Sequence, residues 1–229
     1  MNAIAPSFPH DRAKWTFFAV LAACVLLVIY TDERFLVNPH DPEWAHIAPF
    51  KWWLLVHGLA GATALFTGFF QFSDTVRRTH LSWHRWTGRV YVGAVFIAAP
   101  MAWYIGTHFE QPLLAAEQPA QAGGWLLTTA MALLCVLRGN IPAHKTWMMK
   151  SYCFCMVFVV SRVPDAFNVH WTDALTSNFL WYLVAAALVG PDIVLTVREL
   201  WRKRRTPRAA ASTSVHGPRL PGGTDRAAG

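Results

Sequence analysis

Two histidines carry the clearest chemical potential in this chain. His84 and His144 each stand just ahead of an apolar run, in His84-Arg85-Trp86-Thr87-Gly88-Arg89 and in His144-Lys145-Thr146-Trp147-Met148. Neutral imidazole can ligate haem iron, and it trades protons near neutral pH. Two imidazoles at one depth can therefore be two axial ligands or two walls of one polar site. Gly88 follows His84 by four residues, and Gly61 follows His57 in the same way. On a helix this spacing sets a ring nitrogen beside bare backbone on one face, where a flat macrocycle could lie. The plainer reading is an interfacial histidine bonded to a headgroup or a facing helix.

A second group of polar residues belongs to the other end of the apolar runs. His57, Tyr104 and Arg162 together could hold an anion, a quinone head or a haem propionate; the alternative is a snorkelling arginine beside an unrelated histidine. Asp192 is the one acid within an apolar run and adjoins Gly190-Pro191. A lone carboxylate there relays a proton or closes a salt bridge, with Arg89, Lys150 and His144 as partners. The four cysteines, Cys24, Cys135, Cys153 and Cys155, all lie in apolar runs and read as packing thiols. Cys153 and Cys155 point roughly 200° apart on a helix, so no metal site is expected from them.

These groups have to be positioned by helices in a membrane. Of 229 residues, 54% are hydrophobic and only 14% are charged. Such a composition is too apolar for an ordinary soluble domain, and the apolar residues gather into runs of spanning length. The expected fold is an all-α integral membrane protein with about six transmembrane helices and both termini cytoplasmic. The runs are 15–30, 52–72, 86–107, 122–138, 147–163 and 179–197. Pro164 is expected to end the fifth, and Pro100 to kink the third. A tail over 1–14 precedes the membrane domain, 15–198, and a basic, disordered tail over 199–229 follows it. Leu21-Ala22-Ala23-Cys24 resembles a lipoprotein processing site, but the apolar run continues past it, so a retained first span is expected.

Charge placement supplies orientation. Seventeen of the 20 Lys and Arg fall on the side assigned to the cytoplasm, including Arg77, Arg78, Arg85 and Arg89. The net charge of +7 is thereby a positive-inside signal and not a nucleic-acid patch. Nearly all 12 tryptophans sit at run ends, as an aromatic belt requires. Arg202-Lys203-Arg204-Arg205 are expected to grip anionic lipid headgroups. The small residues Gly58, Gly61, Ala62, Ala64 and Gly68 would let a neighbouring helix approach closely, from a membrane partner or within a homo-oligomer.

Several spaced motifs resemble one family. His57-x-x-x-Gly61, Gly68-x-x-Gln71-Phe72, His84-Arg85-x-x-Gly88-Arg89-x-Tyr91, His144-x-x-Trp147-Met148-x-x-Ser151-Tyr152 and Arg162 resemble the bacterial membrane proteins of domain-of-unknown-function family 2306. The resemblance covers about residues 50–165. It implies a multi-pass protein of the bacterial inner membrane and assigns no activity. Phe70 stands where the pattern carries proline, which alters a helix end and leaves the polar positions intact. The leading functional expectation is b-type haem or quinone-linked electron transfer at His84, His144, Arg85 and Arg89. The alternatives are a proton-coupled carrier or small-molecule binding protein using His57, Arg162 and Asp192, and a non-catalytic partner subunit.

Overall fold

The computed structural model describes residues 8–31, 40, 43–109, 116–167, 169 and 171–205, and these are helical almost throughout. The helices are α1 (Phe8–Thr31), α2 (Glu43–Ile47), α3 (Lys51–Gln71), α4 (Asp74–Thr79), α5 (Leu81–His108), α6 (Glu117–Leu137), α7 (Ile141–Ala166) and α8 (Asp173–Arg205). Four of them, α3, α5, α6 and Asp173–Trp201 of α8, are long and apolar enough to cross a membrane. In α1 the apolar stretch is shorter, Ala19–Val28. The chain divides into two compact units, Met1–Asp192, which holds the helix bundle, and Ile193–Gly229, whose described residues, 193–205, are helical.

Within the first unit α3 packs on α5, α5 on α6 and α6 on α7, with α1 laid against α7. Much apolar surface remains uncovered by protein: Trp52, Leu59 and Phe66 of α3 are all more than half exposed. In water this would be a liability, whereas in lipid it is the ordinary outer face of a bundle. The buried side chains are small where helices cross, as at Ala64, Ala94, Ala98 and Ala132.

Gly68 marks a tight crossing. A methyl group there would lie 2.5 Å from the Tyr152 ring and 3.0 Å from Tyr91, so α3 can approach α5 and α7 only because this residue has no side chain. Gly68→Ala is expected to destabilise the protein by about 1–3 kcal/mol through overpacking. Thermal unfolding in detergent reads this. A melting temperature unchanged from wild type would show that the crossing is loose.

α7 starts ahead of its apolar run because a polar residue caps it. Between α6 and α7 the chain turns in three residues. Gly139 takes φ +73°, its N–H bonds the Val136 carbonyl at 3.0 Å, and the Asn140 N–H bonds the Cys135 carbonyl at 2.9 Å. This pair of bonds closes a helix C-terminus with a left-handed residue, which glycine adopts without strain. Asn140 then caps α7, its side chain accepting from the Ala143 N–H at 3.2 Å.

Three sequence expectations need correction. The segment between the runs 52–72 and 86–107 is not a plain polar connection: Ser73 caps α4, and α5 begins at Leu81, so His84 and Arg85, ahead of the third run, are helical. Pro164 does not end its helix, which continues to Ala166. The Pro164 carbonyl then accepts from the Phe167 and Val169 N–H groups, so proline's missing donor falls in a last turn that closes by other bonds. Glu117, which lies between the runs 86–107 and 122–138, is the first residue of α6 and only 3% exposed. The basic cluster after Trp201 and the termini lie outside the residues whose side chains are described.

Candidate functional site

His84 and His144 occupy the same register. Each is the fourth residue of its helix, α5 and α7, at one end of the bundle. His144, Arg77 and Arg85 are charged neighbours of His84. His144 is oriented by the tight α6–α7 turn, which brings the two helices side by side. Its Nδ1 lies 2.9 Å from the Ala132 carbonyl of α6. A carbonyl oxygen only accepts, so Nδ1 carries the proton and, in the neutral ring, Nε2 keeps its lone pair.

His84 differs in one respect. Its Nδ1 is buried and has no hydrogen-bond partner. A buried ring nitrogen without a partner costs free energy in either tautomer, which singles it out among the polar groups at this end.

Gly88 serves a purpose other than the one its spacing suggests. A methyl group there would stand 3.3 Å from Gln71 Oε1, so the bare backbone is covered by a side chain from α3. Gln71 Nε2 donates to Thr87 Oγ1 at 2.6 Å, and Thr87 in turn donates to the Trp83 carbonyl at 2.9 Å. Gln71 thus ties the end of α3 to α5 one turn past His84. Gly61, by contrast, has nothing within 4 Å of a notional Cβ. His57 Nδ1 donates to the Ala98 carbonyl of α5 at 2.9 Å, which leaves its Nε2 with the lone pair.

Below the histidines lies a group of buried hydroxyls that sequence reasoning missed. Tyr91 Oη and Ser151 Oγ are 2.7 Å apart, as are Thr129 Oγ1 and Ser151 Oγ. Trp125 Nε1 donates to Tyr91 Oη at 3.3 Å, and Thr129 Oγ1 donates to the Trp125 carbonyl at 2.7 Å. Counting protons fixes every direction. Thr129 has spent its hydrogen on the carbonyl, so Ser151 donates to Thr129 and Tyr91 donates to Ser151. The result is a closed circuit that begins and ends on Trp125, with every hydroxyl proton committed. Tyr91, Thr129 and Ser151 are each fully buried. The circuit welds α5, α6 and α7 together. Tyr152 adds a bond from its hydroxyl to the Leu65 carbonyl of α3, 3.2 Å. The signal in sequence was the set of hydroxyl residues within spanning runs, each of which needs a partner in the bilayer.

Asp192 pairs with Lys150, with Nζ 2.7 Å from Oδ2. Lys150 is buried and also lies 4.8 Å from the Trp147 ring centre, while Asp192 is about half exposed. Arg162 is exposed and stands 3.8 Å from Asp165, one turn on, and 5.8 Å from the Phe158 ring. Tyr104 stacks on His108 at 4.2 Å and meets Trp53 at 4.6 Å. Arg89 is exposed on α5. Glu117, at the other end of the bundle, accepts a bond from the Ser177 hydroxyl. Among the described residues no cluster of three or more His, Cys, Asp or Glu could hold a metal ion.

A family model described as "Predicted membrane protein (DUF2306)" matches residues 54–201, from α3 into α8. The chain belongs to that family. The match takes in His57, His84, His144, the hydroxyl circuit and the Lys150–Asp192 pair, and it reaches beyond the motifs that end at Arg162. Together with its apolar helices, DUF2306 membership makes the chain a multi-pass membrane protein in contact with lipid. No curated protein and no solved structure matches this DUF2306 chain.

Proposed function

We propose that the chain is a membrane-embedded binding protein for a quinone head group, held at the His84–His144 end of the bundle. The carrying observation is the buried His84 Nδ1 without a partner. Beside it, His144 keeps a lone pair on Nε2 because its Nδ1–H is fixed on the Ala132 carbonyl. A pair of imidazoles, one seeking a partner and one able to accept, suits a head group that accepts through its carbonyls when oxidised and donates through its hydroxyls when reduced. Electron transfer at such a site belongs to the quinone, and the histidines orient the head group and exchange its protons.

Haem b at the same histidines is the second reading. It is favoured by the Nδ1–H bond of His144 to a backbone carbonyl, which is how axial imidazoles are commonly oriented. Against it stands Gln71, which covers the backbone at Gly88 where a macrocycle would rest.

The same proposal takes α1 and α7, of 24 and 26 residues, as further spans. The chain then crosses the bacterial inner membrane six times, with the His84–His144 end on the cytoplasmic side. The support is the skewed distribution of Lys and Arg.

Titrating purified protein with a short-chain benzoquinone, followed by tryptophan quenching and by oxidised-minus-reduced spectra, tests the function. Saturable quenching is expected, weakened about tenfold or more in His84→Leu, as loss of one buried hydrogen bond implies. A Soret band that disappears in His84→Leu would assign haem instead. No quenching and no Soret band would overturn both.

A further inference from the structure

The outward face of the same helix end carries a different chemistry. In α5, Arg85, Trp86, Arg89 and Gly93 recur at helical spacing and all are exposed, opposite the face that buries Thr87 and Tyr91. Among the described residues neither Arg85 nor Arg89 makes an ion pair or hydrogen bond. Trp83 and Trp86 stack with ring centres 5.4 Å apart and are 51% and 55% exposed. At 1.5 Å per residue the 28 residues of α5 rise about 42 Å, against about 30 Å of hydrocarbon in a bilayer. The surplus places the first turns, with their tryptophans and arginines, in the headgroup layer.

An apolar groove continues from these arginines towards the middle of the bundle. It lies between α3 and α5, with a volume of about 420 Å³, and is lined by Val56, Leu59 and Thr63 on one wall and Val90, Gly93 and Ile97 on the other. Both walls follow helical spacing, so the groove tracks the helix pair. Gly93 keeps it open: nothing stands within 4 Å of a notional Cβ there. Arg89 precedes Gly93 by one turn and Arg85 precedes Arg89 by another, so two unpaired guanidinium groups stand at the mouth of an acyl-width channel. Guanidinium binds phosphate oxygens through paired donors, and a lipid-facing arginine is stable only where it meets an anion or water.

We infer that this face is a binding site for one anionic phospholipid, with its phosphate against Arg85 and Arg89 and an acyl chain laid along the α3–α5 groove. The site lies on the face of α5 opposite Thr87 and Tyr91, and Arg85, a charged neighbour of His84, adjoins the His84–His144 end.

Native mass spectrometry and thermal unfolding of the purified full chain, with added phosphatidylglycerol or phosphatidylcholine, test the inference. Wild type is expected to retain phosphatidylglycerol preferentially and to melt at a higher temperature with it. Arg85→Gln and Arg89→Gln should each lower that preference about fivefold. Gly93→Leu fills the groove from a position where the Cβ has open space, so it should keep the lipid-free melting temperature and lose retention. Equal retention of the two lipids, or retention unchanged by these substitutions, would overturn the site. So would an identical shift produced by inorganic phosphate and indifferent to Gly93→Leu. A wild-type dimer that Gly93→Leu converts to monomer would assign the groove to a second copy and overturn it too.

Discussion

Asp192→Leu is expected to lower stability by about 3 kcal/mol, and adding Lys150→Met to it should restore most of the loss. The Lys150 ammonium is buried and has one anionic partner at 2.7 Å. Removing the carboxylate strands that charge, and breaking a buried pair from one side typically costs about 3–5 kcal/mol. The lower end applies because Asp192 is half exposed, which weakens the pair. The Trp147 ring at 4.8 Å offsets a little more through its quadrupole. With both charges gone, two apolar side chains of similar reach fill the α7–α8 contact and no charge is left unpaired. Thermal unfolding of the four proteins of the cycle in one detergent measures the coupling. Additive losses would show that the pair contributes nothing beyond its separate members. An unchanged Asp192→Asn protein would also remove the strongest reason to place a proton relay there.

Ser151→Ala is the second large effect, expected at about 2–3 kcal/mol. Ser151 is the link of the hydroxyl circuit that both accepts, from Tyr91, and donates, to Thr129. Truncation leaves the Tyr91 hydroxyl proton without its acceptor in a fully buried site, and a stranded donor costs about 1–3 kcal/mol. Thr129 loses only an acceptor role, because its own proton remains on the Trp125 carbonyl. Tyr91→Phe removes the stranded donor but leaves the Trp125 Nε1–H without its acceptor, so adding it to Ser151→Ala should recover little of the loss. A Ser151→Ala protein that melts with wild type would show that the hydroxyls are not linked in this circuit. Both measurements are of stability, so they hold whatever ligand the protein binds.

The helices were legible in sequence because lipid enforces one simple pattern: long apolar runs with charged ends and tryptophans at the borders. The shared register of His84 and His144 was legible for the same reason, since each stands where a polar segment turns into an apolar one. What sequence could not supply was rotation about the helix axes. Gly88, one turn from His84, read as open backbone, and only the packing of α3 shows Gln71 lying across it. The hydroxyl circuit draws on three helices, with Tyr91, Thr129 and Ser151 separated by dozens of residues. No local spacing announces such a cluster. His57 and Arg162 share an approximate depth, but the structure turns His57 to the Ala98 carbonyl and leaves Arg162 beside Asp165. Helix ends were misjudged at two places: α5 starts at Leu81, ahead of its apolar run, and a closing turn carries α7 past Pro164.

The central claim is that a head group completes the hydrogen bonding of His84. Isotope-edited nitrogen NMR of histidine-labelled protein, with resonances assigned by single-histidine substitutions, follows each ring directly while a short-chain benzoquinone is added. The His84 Nδ1 resonance should shift as the site fills and His144 should respond with it, whereas His57 of α3, held on the Ala98 carbonyl of α5, should not move. A His84 resonance indifferent to quinone, or one that shifts no more than that of His57, would contradict the account.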